Sequence, residues 1–181
     1  MKHLNRALTR LKGRTGASLA EMLLATLMVL LVATGLTAGV RLAQQQYIRS
    51  MQYSEAQELS GTLETILTNE LRYTTIVVLN GSKVEQFYSV TYAIHSAPTA
   101  LVSLDADGEE CEYGELALGH DSEYNRILGS AAYPNHLKAK GRITYADGYF
   151  TVKLTIAANT EPLLTREFQV RALNALSITT A

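Results

Sequence analysis

Between Met22 and Val40 the chain runs MLLATLMVLLVATGLTAGV, nineteen residues without a charge. As an α-helix this run spans roughly 28 Å, about the thickness of a bilayer's hydrocarbon core, so the sequence predicts a single membrane crossing. The flanking charges set its direction. Residues 1–16 carry Lys2, Arg6, Arg10, Lys12 and Arg14 and no acid, whereas Arg41 and Arg49 are soon joined by Glu55 and Glu58. The basic side stays in the cytoplasm, which places everything after residue 41 outside. The whole chain is nearly neutral, with 16 Lys+Arg against 17 Asp+Glu, but without the five cations of residues 1–16 its net charge of -1 becomes -6. Composition therefore gives no footprint for nucleic acid. Cys111, the only cysteine, excludes an intramolecular disulfide framework and any multi-cysteine metal site.

A signal peptide or a generic single-pass anchor would also supply such a run. Glu21 fits neither easily. A carboxylate costs about 2.5–3.5 kcal/mol at the centre of a membrane span and less near the interface, so one placed at the lip of an apolar helix asks for a partner or a task. Leu36-Thr37-Ala38 is a poor signal-peptidase site.

Residues 12–25 read KGRTGASLAEMLLA. This stretch resembles the prepilin cleavage and methylation motif of type IV pilins and pseudopilins: a basic leader ending in Gly, a Glu five residues on, then an apolar helix. The resemblance covers about residues 10–45. It implies cleavage by a prepilin peptidase between Gly16 and Ala17, N-methylation of Ala17, and assembly into filaments through the helix. In such filaments the anchor helices leave the bilayer and bundle, and Glu21 would neutralise the terminal amine of a neighbouring subunit's Ala17. A buried charge without a counter-charge is costly, so this pairing would check the register of assembly. The plainer reading is that Glu21 snorkels to the headgroups. Ala17 stands where the family often has Phe or Met, and no Pro interrupts the span. Gly35 and Gly39 lie where that Pro would be, and each weakens a helix by roughly 1 kcal/mol relative to Ala. They read either as a point of helix flexibility or as a small-residue contact face between membrane helices.

After Arg41 the pattern turns amphipathic. Ile48, Ala56, Leu59, Leu63, Ile66, Leu67 and Leu71 share one face at helical spacing, opposite Ser50, Ser54, Gln57, Glu58, Thr65 and Thr68. One helix from about Ala17 to Arg72 is predicted, with a break near Gly35 to Gly39 as the alternative. Beyond Tyr73, β-branched and aromatic runs are separated by turn residues. Asn80-Gly81 joins strands at 75–79 and 83–90, Asp147-Gly148 joins 141–145 to 149–156, and 165–173 alternates as a last strand. The expected fold class is α+β: a long N-terminal helix whose C-terminal half packs on an antiparallel sheet, the architecture the resemblance also implies.

Eight acids fall between Asp105 and Glu123 with no Lys or Arg until Arg126. Asp105-Ala-Asp107-Gly108 lacks the ligand spacing of an EF-hand loop, so the stretch reads as a solvated turn region rather than a calcium site. His3, His95, His120 and His136 show no metal-ligand spacing. Cys111 sits between Glu110 and Glu112, which disfavour its thiolate. No catalytic motif and no cofactor motif is visible.

The expected organisation is a basic leader (1–16), a transmembrane and assembly half of the helix (17–41), its amphipathic half (42–72) and an extracytoplasmic β domain (73–181). The expected role is a structural subunit, a minor pilin or pseudopilin serving a pilus, type II secretion or DNA uptake. Its partners would be other pilin subunits, the prepilin peptidase, a membrane assembly platform and the membrane itself. It would need no enzyme chemistry, cofactor or metal. The alternative is a single-pass anchored protein with an exposed β domain that binds a ligand or partner; a secreted enzyme behind a cleaved signal peptide is the third reading.

Overall fold

The computed structural model describes residues 19–90, 98–120, 123–158, 160–174 and 176–180. Helix α1 (Leu19–Arg72) runs through Gly35, Gly39 and Gly61 without interruption, as the one-helix reading predicts, and the alternative break is not observed. The chain divides into two units, Met1–Ile48 and Arg49–Ala181. In the first, every described residue is exposed, including Leu23, Leu27, Leu30 and Leu31.

In the second unit the apolar stripe of α1 does what its spacing predicts. Ala56, Leu59, Leu63, Leu67 and Leu71 are buried, while Gln57, Glu58 and Thr65 face solvent. The expected stripe is trimmed at two places, since Ile48 is exposed and Ile66 only half-buried. Two polar residues, Ser60 and Glu70, are buried on the same face.

Among the described residues nine strands follow: β1 (Thr74–Asn80), β2 (Lys83–Ser89), β3 (Ala100–Leu104), β4 (Glu115–His120), β5 (Glu123–Arg126), β6 (Leu137–Ala146), β7 (Tyr149–Ala158), β8 (Glu161–Arg171) and β9 (Ser177–Thr180). They form a six-stranded sheet in the order β8-β7-β6-β2-β1-β9 and a three-stranded sheet in the order β3-β4-β5. Both hairpins predicted from turn residues are present. The β6–β7 turn centres on Asp147 and Gly148, with φ of 53° and 84°. The β1–β2 turn falls one residue later than the Asn-Gly pair suggests: Asn80 pairs with Lys83, Gly81 alone takes positive φ, and Asn80 instead donates to Glu85.

Three features depart from the predicted antiparallel sheet. First, β9 lies parallel to β1, and β8, the expected last strand, is followed by it. The chain crosses between the two edge strands over the end of α1, where the backbone N–H of Leu173 donates to the Arg72 carbonyl and Asn174 Nδ2 donates to that of Tyr73. Helix ends leave such carbonyls unpaired, so this crossing caps α1 as it passes. Second, β2 and β6 meet through a single Cα pair, Lys83 with Thr144. The small sheet bridges both strands: Phe87 and Thr99 exchange two 2.8 Å hydrogen bonds, and Gly114 and Ala139 exchange bonds of 3.0 and 2.7 Å. Glycine is required at position 114, where a Cβ would lie 2.1 Å from the Leu104 carbonyl oxygen. Third, the acidic stretch is not wholly a solvated turn. Leu116, Ala117 and Leu118 of β4 are buried, and Leu118 joins Leu67, Leu71, Val77, Phe87, Phe150 and Val152 in the core.

Candidate functional site

Glu21 lies in the first described turn of α1, and its residue is exposed. The cleavage and methylation residues, Gly16 and Ala17, fall outside the described residues. Gly35 and Gly39 lie one turn apart on the helix, and a Cβ at either would meet nothing within 4 Å. They leave open surface on which another helix could approach closely.

The hydroxyls of the apolar run are already satisfied within the helix. Thr26 Oγ1 donates to the Leu23 carbonyl at 2.9 Å, Thr34 Oγ1 to that of Leu31 at 2.9 Å, and Thr37 Oγ1 to that of Ala33 at 2.8 Å. In hydrocarbon an unsatisfied polar group costs several kcal/mol, so these bonds make the threonines compatible with lipid. Among the described residues α1 is the one helix long and apolar enough to cross a membrane.

Four of the acids between Asp105 and Glu123 make contacts within the fold. Asp105 Oδ1 accepts from the N–H groups of Asp107 and Glu109 at 3.0 and 2.9 Å. Lys140 donates to Glu112 at 2.8 Å, Arg126 Nε lies 2.7 Å from Glu115, and the Tyr124 hydroxyl donates to Glu110. Among the described residues no three of His, Cys, Asp and Glu are grouped so as to hold a metal ion. Of the histidines, His3 and His95 fall outside the described residues. His136 follows Asn135, and both carry positive φ, at 59° and 50°. Glu55 on α1 fixes that strained pair by accepting from Asn135 Nδ2 at 2.8 and 2.7 Å.

The Cys111 thiol is pushed up in pKa, the direction expected from sequence, first by burial and next by Asp105. Its Sγ–H donates to the Tyr113 carbonyl at 3.1 Å. Buried Tyr133 accepts from the Leu116 N–H at 2.9 Å, and burial pushes its hydroxyl up to about 12.

Glu70 is the residue that sequence reasoning missed. Its side chain is 1% exposed, and its Oε2 has no hydrogen-bond partner. Burial holds its carboxyl above the usual range, opposed by a hydrogen bond from Ser89. Glu70 lines a small cavity of about 30 Å³ together with Ile66, Phe87, Ser89, Leu118 and Ile127. The signal lay in its spacing, seven residues after Leu63 and three after Leu67, which puts a carboxyl on the apolar stripe.

Comparison with family models, curated proteins and solved structures finds no match to this chain.

Proposed function

We propose that this chain is a structural subunit of a type IV pilus-like filament, a minor pilin or pseudopilin anchored by α1 until it is assembled. The observation that carries the reading is the combination on α1 of Glu21 with a following run of exposed apolar side chains and internally satisfied threonines. Lipid satisfies such a surface before assembly, and other helices of the same kind satisfy it afterwards. Cleavage after Gly16 creates an amine at Ala17, and Glu21 of a neighbouring subunit supplies its counter-charge. Leaving one member of a buried ion pair alone costs about 3–5 kcal/mol, so a subunit without the carboxylate is excluded from the bundle. The prepilin peptidase and the assembly platform are the partners this route requires.

The test has two parts. Mass analysis of the mature chain should find an N-methylated Ala17 as its first residue. Glu21→Val should leave the protein in the membrane but lower its incorporation into filaments at least about tenfold. An intact Met1, or normal incorporation of the variant, overturns the reading. An intact Met1 would favour a single-pass anchored binding protein, for which the cavity beside Glu70 is the supporting observation.

A further inference from the structure

The cavity beside Glu70 takes no part in filament assembly as proposed above, yet its chemistry is selective. Its space of about 30 Å³ corresponds to about two or three water-sized bodies. Ile66, Phe87, Leu118 and Ile127 supply apolar walls, and Tyr88, Ser89, Thr99 and Asn125 supply polar edges. The ionisable groups on the wall are Glu70 from α1, Tyr88 from β2 and Arg126 from β5. Arg126 is already engaged, with Nε at 2.7 Å from Glu115 and a terminal nitrogen donating to the Asp105 carbonyl at 3.1 Å. The unmatched group is Glu70 Oε2, buried and without a hydrogen-bond partner.

We propose that this cavity binds a primary ammonium group carried on a short alkyl stem. The carboxylate excludes anions. A hard metal cation would need a shell of several oxygens, which walls of Ile, Phe and Leu do not give it. An ammonium needs fewer acceptors, and its first one or two carbons match the apolar walls. Room for two or three heavy atoms sets the depth of entry.

Binding is tied to a proton. Where Glu70 is protonated, the entering R–NH3+ displaces its proton to solvent and leaves a carboxylate–ammonium pair, so charge balances with one proton released per ligand bound. Affinity therefore rises about tenfold per pH unit until Glu70 is ionised in the free protein, and then levels off.

The probe is ethylammonium chloride added to the full chain in detergent micelles, with sodium chloride and ethanol as controls at equal concentration. The wild type should melt roughly 2–4 °C higher once ethylammonium exceeds its dissociation constant about fivefold. Neither control should do this, and Glu70→Gln should abolish it. Calorimetry near pH 4, where free Glu70 is protonated, in buffers of different ionisation enthalpy should find a proton released in the wild type, a readout that survives even if the variant folds poorly. Equal shifts with sodium chloride or ethanol, an undiminished shift in a folded Glu70→Gln protein, or an affinity that fails to rise as pH is raised from about 4, where Glu70 is protonated, would each overturn the proposal. An Nα-acetyl-lysine methylamide arm separates the two sources. A matching shift supports entry of a protein's lysine side chain, and a shift with ethylammonium alone supports a free amine.

Discussion

Glu70 occupies the last turn of α1, where burial, its unpartnered Oε2 and the negative end of the helix dipole all disfavour the carboxylate. The direction of the resulting pH dependence follows. The folded-state pKa is raised from the ordinary value of 4.5, so below that value the group is protonated in folded and unfolded chains alike and costs nothing. As pH rises the unfolded chain gives up its proton first, and stability is lost until the folded form ionises as well. Each pH unit inside this window costs about 1.4 kcal/mol. We expect Glu70→Gln, which keeps an acceptor for Ser89, to flatten this decline. It should therefore melt above the wild type on the alkaline side and level with it or below near pH 4. Thermal melts of both proteins from pH 4 to 9 test this, and a wild-type curve that stays flat would refute it.

At the scale of elements, legibility followed the range of the interactions. The β6–β7 turn could be read because its chemistry is local: Asp147 and Gly148 both take positive φ, and Ala146 pairs with Tyr149 across them. The stripe of α1 could be read because 3.6-residue spacing is a property of the helix alone. What escaped were pairings decided by distant partners. β3 and β5 are five and four residues long, and β9 finds its place only beside β1, whose paired residues lie just over a hundred positions earlier in sequence. A contrast between two glycines separates backbone from packing. Gly129 and Gly148 both have open space where a Cβ would stand, but Gly129 has φ of -66° and Gly148 of +84°. We expect Gly148→Ala to destabilise the domain by about 1–2 kcal/mol, the cost of a left-handed conformation, and Gly129→Ala to change it by no more than about 0.5 kcal/mol. Denaturant midpoints of the two variants decide the matter.

Across the whole molecule, the same chain joins an exposed apolar helical run to a domain with a buried core. The membrane-length helical run was legible because hydropathy acts over a whole segment. The spacing of Glu70 marked it on the apolar stripe, but its cavity was not legible, because that is assembled from Ser89, Leu118 and Ile127, which only the fold brings to α1. This division makes a physical demand on the second unit. Its first buried helix residue is Ala56, so a chain starting at Arg49 keeps every core residue. That fragment carries 10 Lys+Arg against 16 Asp+Glu, a net charge of -6, which favours solubility. We expect residues 49–181 to fold without detergent and to melt within a few degrees of the corresponding transition of the full chain. The full chain itself should sediment with membranes and need detergent for extraction. Circular dichroism and sedimentation of the fragment supply the measurement. If the fragment aggregated or failed to fold, the exposed helical run would be contributing to the domain's stability, and its role as an independent anchor would have to be abandoned.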